Sequence, residues 1–325
     1  MSASDPLRTL QRSANLAHYA STATPTPRQL RDELARQPRL RRRIARGEVL
    51  VGSLVVVMAS PDFAPWLARW ALMADGEAFS SPNAWLLPVT RGGVPAILKI
   101  SHAPEEIAGA RTMQWWGGQG AARVLALDGE ALLLERLTGS RDLIVMARGA
   151  EDDAATAVIC DVLARLHVPR ATPLPDTLVP LEDWFRELAP AAANIGGPYA
   201  LAAKAAAELF ATPEPPVVLH GDMHHANVLD SERGWLAIDP KGLFGDRGYD
   251  YANQFCYPWD CAEAPNRFGR RARIVSVLAN LALPRLLNWV IAYTGVSAAC
   301  ALVDGKNPTR ALQILEIALV ERRSL

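Results

Sequence analysis

Three oxygen-bearing side chains lie beside two short apolar segments in the second half of this chain. Asp222 and Asn227 follow the apolar residues 217–219, and Asp239 follows the apolar segment 235–238. Magnesium prefers oxygen ligands and usually binds one or two protein carboxylates together with substrate phosphates and water. Residues of these types at two predicted strand ends therefore indicate a site for a divalent cation and a phosphate group.

The spacing within this group indicates a specific chemistry. The offset of five residues from Asp222 to Asn227 is that of a kinase catalytic loop, in which the aspartate accepts a hydroxyl proton and the asparagine binds magnesium. Asp239 then supplies a second magnesium ligand from the next strand end. We expect the two strand ends to present all three side chains in hairpin register. Asp222 has to stay clear of the metal, because it must meet the acceptor hydroxyl.

Two other interpretations of this segment remain open. His220, His224 and His225 could form a metal cluster, although a spacing of four residues shares one face only on a helix, and Gly221 after a strand argues against a helix. Each aspartate taken alone could also be a turn former, since aspartate is common at such positions. That second interpretation does not explain both aspartates together with Asn227.

A strand-turn-strand pattern between residues 84 and 100 carries one lysine. Period-two alternation places Lys99 on the opposite face of its strand from both apolar neighbours. A helix is expected from about residue 103 to residue 116, and helical spacing could turn Glu106 inward on it. A strand lysine paired with a glutamate of the next helix holds nucleotide phosphates in kinases. The alternatives are a solvated lysine and glutamates that only stabilise the helix dipole.

The rest of the chain divides into a sheet and a helical part. Two further apolar strands flank an Asp-Gly turn at 128–129 and complete a largely antiparallel sheet. Residues 138–140 break the pattern and predict a hinge between two lobes, where ligands often bind. Pro284 should interrupt the apolar stretch 273–293. We interpret that stretch as buried helices and not as a membrane span, because charged and polar residues break its apolar run.

Composition excludes several classes of protein. Half of the 325 residues are hydrophobic and 21% are charged, which is enough for a folded core. The 34 basic and 34 acidic residues balance, but residues 1–60 carry a net charge of +6 and the remainder carries −6. An acidic body argues against a nucleic-acid surface and is compatible with a cationic small ligand. The four cysteines form no CxxC pair, which predicts reduced thiols in a cytoplasmic protein.

The N-terminal residues 1–57 are expected to contribute nothing to the chemistry. Residues 13–27 are rich in Ser, Thr, Ala and Pro, which indicates loop or disorder. The apolar run 49–59 is shorter than the ~20 residues that cross a membrane, and it lies too far from the N-terminus for a signal peptide. A start codon assigned too early, with synthesis beginning at Met58, also explains the segment.

Segment 219–255 resembles the aminoglycoside phosphotransferase family. The likeness is carried by His220-Gly-Asp-x-His-x-x-Asn227 and Ile238-Asp-Pro-Lys-Gly242, and within the family it is strongest to the streptomycin 6-kinase and hydroxyurea phosphotransferase branch. It extends over about residues 61 to 320. The resemblance implies an α+β, bilobed protein-kinase-like fold with a small antiparallel-sheet N-lobe and a mainly helical C-lobe. The expected boundaries are 1–57 for the extension, 58–137 for the N-lobe and 138–325 for the C-lobe.

The resemblance also implies roles for the chemical residues. Asp222 is similar to the catalytic base, and Asn227 and Asp239 are similar to the ligands of Mg²⁺. Lys99 resembles the lysine that binds the phosphates of ATP, with Glu106 as its ion-pair partner and Glu105 in reserve.

Further positions match supporting parts of the family pattern. Glu135 and Leu137 match the hinge whose backbone binds adenine. Asp250 resembles the buried aspartate that braces the catalytic loop, with His220 beside it. Lys241 has no assigned role, and it could reach a phosphate or serve only in a turn. The loop 80–83 stands where the phosphate-covering loop belongs but lacks its glycine-rich pattern.

The implied activity is phosphorylation of a small molecule. The resemblance implies transfer of a phosphoryl group from ATP to a hydroxyl of an aminoglycoside, with streptomycin at its 6-position as the leading candidate and antibiotic resistance as the result. Asp260 and Glu263 could bind a guanidinium group of such a cationic substrate, or they could be surface charges. The alternatives are a kinase for hydroxyurea or another hydroxylated metabolite, and a catalytically silent nucleotide-binding pseudokinase. No nucleic acid or membrane partner is expected, and the oligomeric state is left open.

Overall fold

A computed structural model of the protein describes three stretches of the chain, which are residues 60–81, 83–258 and 265–325. The predictions for residues 1–57, and those for Asp260 and Glu263, concern positions outside the described stretches.

The N-terminal part is an antiparallel sheet of six strands. Its strands are β1 (Leu72–Ala74), β2 (Phe79–Ser80), β3 (Trp85–Arg91), β4 (Val94–Ile100), β5 (Val124–Asp128) and β6 (Ala131–Glu135), preceded by the short helix α1 (Ala64–Arg69). The order across the sheet is β1-β3-β4-β6-β5, and β2 pairs with the first residues of β3. The predicted turns at 90–93 and 128–129 both connect hairpins of this sheet.

One helix covers the face of the sheet that carries the lysine. Helix α2 (Pro104–Trp116) follows β4 directly, as the sequence predicts. Lys99 lies on the α2 side of β4, while Leu98 and Ile100 belong to a separate apolar cluster on the other face. Gly109 of α2 must be a glycine, because a Cβ atom there would lie 2.1 Å from the carbonyl oxygen of Pro240. Helix α2 is thereby packed directly against the loop that carries Asp239.

The C-terminal part is mainly helical. Its helices are α3 (Leu143–Arg148), α4 (Asp152–Leu166), α5 (Leu181–Trp184), α6 (Leu188–Ile195), α7 (Pro198–Ala211), α8 (Gly248–Asn253), α9 (Pro265–Leu278), α10 (Leu283–Val303) and α11 (Thr309–Arg323). Pro284 lies in the first turn of α10, where its missing N–H has no intrahelical partner to lose. The predicted interruption is therefore a break between α9 and α10.

Helix α10 is the central element of this part. It packs against α6, α7, α8, α9 and α11. Among the described residues it is the one helix long and apolar enough to cross a membrane, but most of its apolar stretch is buried inside the protein. Its large side chains join the main core, with Trp289 fully buried against Phe185, Phe210 and Tyr249. This agrees with the prediction of buried helices.

Short strands beneath the sheet position the polar cluster, and they correct one prediction. Strands β9 (Val228–Leu229) and β10 (Leu236–Ala237) form a hairpin, so Asn227 and Asp239 flank paired strands as expected. Asp222 does not belong to that hairpin. It follows β8 (Val217–Leu219), which pairs with β11 (Leu243–Gly245) and through it with β7 (Val179–Pro180). Strands of two or three residues carry no alternation pattern that fixes their partner, so the sequence could not settle this pairing.

Candidate active site

Asp222 sits on a loop that a buried carboxylate fixes in place. Asp250, on α8, accepts hydrogen bonds from the backbone N–H of His220 at 2.8 Å and of Gly221 at 2.7 Å. The Nε2 atom of His167 lies 2.8 Å from the same carboxylate. Gly221 has φ +80°, and a Cβ atom there would lie 2.9 Å from Leu243. The loop thus turns sharply after β8 and presents Asp222, as the proposed bracing role of Asp250 requires.

His220 ties the Asp222 loop to the strand before Asp239. Its Nδ1 accepts a hydrogen bond from the backbone N–H of Asp222 at 3.2 Å, and its Nε2 lies 2.8 Å from the carbonyl oxygen of Ile238. Because the carbonyl only accepts, Nε2 carries the proton and the ring is neutral. Burial lowers the pKa of His220 below its ordinary value, against the pull of Asp250 and Asp222. The ring is therefore a fixed spacer between two site loops.

Asn227 lies beside Asp222 and keeps its amide oxygen available. Its Nδ2 donates to the backbone carbonyl of Asp222 at 2.9 Å. Within the described stretches no group donates to Oδ1 of Asn227. This orientation leaves a neutral oxygen ligand free for a cation.

Asp239 connects the two lobes through an ion pair. Its carboxylate contacts the ammonium group of Lys99, which also bonds Glu106 at 2.5 Å. Burial alone would raise the pKa of Asp239, but the charge and hydrogen bond of Lys99, with Lys241 behind, hold it below its usual value. Burial likewise opposes the charge on Lys99, yet Asp239 and Glu106 raise its pKa above the ordinary value. Both groups are therefore ionised at neutral pH, and 44% of the Asp239 side chain is still exposed.

A second lysine lies close to the same carboxylates without a tight partner. The Nζ atom of Lys241 is 3.6 Å from Glu105 and 4.0 Å from Glu106. Glu105, the reserve candidate, instead accepts a hydrogen bond from Asn83 at 2.7 Å. Burial lowers the pKa of Lys241, but Asp222, Glu105 and Glu106 raise it to a net value above the ordinary one. Lys241 is thus a charged ammonium beside Asp222.

The segment predicted to bind adenine lies at the end of β6. The carboxylate of Glu135 points away from that role, because it accepts a hydrogen bond from the backbone N–H of Arg123 at 2.7 Å and pairs with Arg233. Leu137 is buried, and its N–H makes no hydrogen bond within the described stretches. The backbone of this segment can therefore serve a ligand, while the Glu135 side chain is structural.

Two residues without a predicted role complete the surroundings of Asp222. Asn253 donates from Nδ2 to Oδ1 of Asp222 at 2.9 Å, and the hydroxyl of Tyr293 donates to Oδ1 of Asn253 at 2.6 Å. Asn253 ends the Arg-Gly-Tyr-Asp-Tyr-Ala-Asn segment, which offered a sequence signal. Tyr293 lies in the middle of α10, far along the chain and within an apolar run, where no local pattern marks it.

A cavity of about 290 Å³ opens beside Asp222 and Lys241. Its walls come from α5, α8, α10 and the site loops, and three of the lining residues are aromatic, namely Trp184, Tyr249 and Tyr293. Asp304 contributes a carboxylate to the cavity and pairs with Lys306 at 2.8 Å, with both side chains well exposed. The cavity thus combines some aromatic surface with charges of both signs, since Lys241 and Lys306 line it together with Asp222 and Asp304.

The alternative of a histidine metal cluster finds no support among the described residues. No three His, Cys, Asp or Glu side chains there are placed to hold a metal ion. His224 stacks on Tyr257 with ring centroids 4.0 Å apart, and His225 is fully buried. The described cysteines are free thiols, and burial raises the pKa of Cys160 and of Cys256 to about 12.

Comparison with known proteins gives a consistent result. The profile of the aminoglycoside/hydroxyurea antibiotic resistance kinase family matches residues 69–305. The chain is 47% identical over 246 residues to streptomycin 3''-kinase of Klebsiella pneumoniae, which covers 74% of this chain and 92% of that protein. It is 39% identical over 208 residues to streptomycin 6-kinase of Streptomyces glaucescens, which covers 60% of this chain and 66% of that protein.

A solved structure shows the same fold at low identity. A thermostable mutant of the aminoglycoside phosphotransferase APH(4)-Ia, in ternary complex with ADP and hygromycin B, superposes with a TM-score of 0.55 and 16% identity. The match covers 82% of this chain and 99% of that one. The expected α+β, bilobed protein-kinase-like fold is confirmed, while the lobe boundaries at 57/58 and 137/138 stay predictions.

Proposed function

Because the chain belongs to the aminoglycoside/hydroxyurea antibiotic resistance kinase family, whose members phosphorylate hydroxyl groups of small molecules, we propose that it transfers the γ-phosphoryl group of ATP to streptomycin. The 3''-hydroxyl is the favoured acceptor position, since the streptomycin 3''-kinase is the more similar relative and is covered almost completely. The 6-hydroxyl, favoured by the sequence motifs, is the second candidate.

The observation that carries this proposal is the convergence of four predicted residues at one cleft. Lys99 of the N-terminal sheet contacts Asp239 directly across the two lobes. Asn227 and Asp222 share a hydrogen bond on the adjoining loop, and His220 fixes the distance between that loop and Asp239. The Lys99 ammonium suits a triphosphate, and the Asp239 carboxylate and Asn227 amide suit its metal ion. The Asp222 carboxylate suits an acceptor hydroxyl.

The nucleotide side of the cleft has the groups that ATP requires. Lys99 would bind the phosphates, with Glu106 holding its ammonium group in place. The carbonyl of Glu135 and the free N–H of Leu137 would bind the adenine edge. Lys99 now bonds Asp239, so a phosphate that binds the ammonium would release that carboxylate toward its metal.

The donor set at Asp239 and Asn227 fits Mg²⁺. The Asp239 carboxylate is ionised and partly exposed, and the amide oxygen of Asn227 has no donor in the described stretches. One carboxylate and one neutral oxygen leave the remaining positions for phosphate oxygens and water, which is the usual arrangement for this ion. Asp239 and Asn227 would hold the ion, which would neutralise the charge that develops on the phosphates.

Asp222 would orient and deprotonate the acceptor. As the acceptor oxygen bonds to the γ-phosphorus, the bond from that phosphorus to the β,γ-bridging oxygen breaks, and ADP leaves with the electron pair. The hydroxyl proton passes to the Asp222 carboxylate late in this step. Since phosphoryl transfer depends mostly on positioning and electrostatics, Asp222 acts chiefly by directing the hydroxyl at the phosphorus.

The cavity beside Asp222 suits a cationic polyol. Trp184 and Tyr293, which are both half-buried, give aromatic surface on which guanidinium groups can stack. Asp304 places a carboxylate at the cavity, and the described body beyond the first sixty residues is net acidic. These features favour a guanidinium-bearing aminoglycoside over the small neutral hydroxyurea.

The test is a direct assay of phosphate transfer. The purified full-length protein is incubated with Mg-ATP and streptomycin. Mass spectrometry measures the mass of the product, and phosphorus–proton NMR locates the phosphate. We expect one added phosphate, at the 3''-oxygen, and no product from Asp222→Asn. The matched control is Asp161→Asn, which changes an exposed aspartate on α4 and should leave turnover unchanged.

Each alternative gives a different result in that assay. Phosphate on the 6-oxygen would replace the favoured position and keep the rest of the proposal. Phosphorylation of hydroxyurea with none of streptomycin would overturn the aminoglycoside assignment. Nucleotide binding without transfer to any hydroxyl compound would leave the pseudokinase as the correct function.

A further inference from the structure

Two side chains connect Asp222 to the wall of the acceptor cavity. The amide of Asn253 bonds Oδ1 of Asp222 at 2.9 Å, and the hydroxyl of Tyr293 bonds the amide oxygen at 2.6 Å. Asn253 is only 1% exposed. Tyr293 lines the cavity together with Asp222, so the chain of hydrogen bonds begins and ends at the same space.

The chemistry of the groups fixes the direction of both bonds. An ionised carboxylate only accepts hydrogen bonds, so the amide NH₂ group of Asn253 must face Asp222. The amide oxygen must then face Tyr293, whose hydroxyl donates to it. Burial, with Cys256 and Asp222 nearby, raises the pKa of Tyr293 well above its ordinary value. The hydroxyl therefore keeps its proton at neutral pH.

The two oxygens of the Asp222 carboxylate therefore have different surroundings. Oδ1 of Asp222 receives the Asn253 bond, and Nε2 of His224 lies on the same side at 3.9 Å. Among the described residues no side chain donates to Oδ2. A carboxylate with one oxygen held and the other free has a defined orientation for one incoming hydroxyl.

The helices that carry these residues are firmly packed. Asn253 is the last residue of α8, and Tyr293 lies on α10, against which α8 packs. The rings of Tyr249 and Tyr293 meet edge to face with centroids 5.5 Å apart. The position of the amide is thus set by the core of the C-terminal part.

Resting on the proposed function, we infer that Asn253 and Tyr293 are positioning residues for Asp222. They hold Oδ1 of Asp222 and thereby direct Oδ2 at the acceptor hydroxyl. An acceptor that packs on Tyr293 would restrict the Asp222 side chain further. Neither residue is a catalytic group itself, because Asn253 acts through Asp222 and Tyr293 acts through Asn253.

The kinetic test separates orientation from binding. Tyr293→Phe removes one hydroxyl and should lower kcat for streptomycin about 5-fold, the effect of one neutral hydrogen bond, while Asn253→Ala should lower it about 30-fold because its bond goes to a charged group. The affinity for ATP should stay within about 2-fold of the wild-type value, because the lost bonds act on the acceptor side. Tyr199→Phe, a hydroxyl deletion at a buried tyrosine of α7, should change none of these values.

A structural readout makes the test independent of the acceptor. Crystal structures of the wild-type and Tyr293→Phe proteins show the Asp222 side chain directly. We expect one ordered rotamer bonded to Asn253 in the wild type, and a rotated or disordered carboxylate in the variant. An unchanged carboxylate in Tyr293→Phe, or a wild-type kcat in both variants, overturns the inference. A wild-type protein that leaves streptomycin unmodified but shows the ordered rotamer overturns the proposed substrate alone.

Discussion

The two sides of the cleft at Asp222 are built in different ways. The nucleotide side is a group of opposite charges in contact, with Lys99 bonded to both Glu106 and Asp239. The proposed acceptor side is a cavity lined by apolar and aromatic side chains, with Asp304 adding an exposed carboxylate to that of Asp222. Fixed charges at fixed spacing suit a triphosphate that never varies, whereas aromatic surface admits ligands of several shapes.

The largest effect is expected from loss of the proposed metal ligand on the nucleotide side. Asp239→Ala removes the carboxylate that would bind Mg²⁺, and we expect turnover to fall by about 10³-fold or more. Binding of nucleotide should lose most of its dependence on Mg²⁺, which calorimetric titration with and without the ion would measure. Near-normal turnover in this variant would contradict the role assigned to Asp239.

The second prediction concerns the ammonium group that faces that metal. Lys99→Met leaves Glu106 and Asp239 without their counter-charge and removes a phosphate contact, so kcat/KM for ATP should fall about 100-fold. Lys99→Arg should recover only part of the loss, because a planar guanidinium does not replace a compact point charge. Steady-state kinetics with ATP varied would measure both, and an equal effect on the acceptor KM would argue against the division between the two sides.

The third prediction sharpens the acceptor side. Asp304→Asn should raise the KM for streptomycin about 10-fold, since a charge-assisted contact is lost, and should leave the KM for ATP unchanged. Lys306→Met removes the competing partner of Asp304, so the acceptor KM should fall. Opposite changes in these two variants are required. A KM for streptomycin that responds to neither would place the cationic groups elsewhere.

The smallest expected effect is on stability. Burial, with Arg271 and His224 nearby, holds the pKa of His225 well below its ordinary value of 6.5. The unfolded chain therefore binds this proton first, so the stabilising contribution is complete above pH 6.5 and declines as the pH falls below it. We expect His225→Gln to reduce the pH dependence of the unfolding free energy by about 1 kcal/mol per pH unit just below pH 6.

Urea unfolding of both proteins between pH 5 and 8 measures this slope. Above pH 7 the difference between variant and wild type should be constant. The same slope in both proteins below pH 6 would show that the unfolded and folded chains bind this proton equally.

What the sequence could predict follows the same division. The kinase family, the bilobed fold and the enzyme class are confirmed, and Lys99 meets Glu106 because the two are only seven residues apart on adjoining elements. A local motif predicts a contact of this kind, because the residues are close in sequence. The prediction that the strand before Asp222 belongs to the hairpin was wrong, because β8 is too short to specify its partner and pairs with β11 instead. The contact between Lys99 and Asp239 depends on how the lobes meet, which no local pattern records.

The acceptor side could not be predicted in the same way. Trp184 comes from α5, while Tyr293 lies in α10 and Asp304 follows its last residue. Each looks like an ordinary core or surface residue in its own segment. The carboxylates that the sequence offered for this role, Asp260 and Glu263, lie outside the described residues, so their role stays a prediction. Asn253 is the intermediate case, since its motif was visible but its partner was not.

The central claim is that Asn227 and Asp239 hold one divalent cation against a triphosphate bound by Lys99. The most direct measurement is a crystal structure of the full-length protein with Mn²⁺ and a non-hydrolysable ATP analogue, with the metal located by anomalous scattering. We expect a peak within bonding distance of an Asp239 oxygen and the Asn227 amide oxygen, with phosphate oxygens bonded to Lys99. A peak away from both side chains, or an analogue bound outside this cleft, would contradict the account.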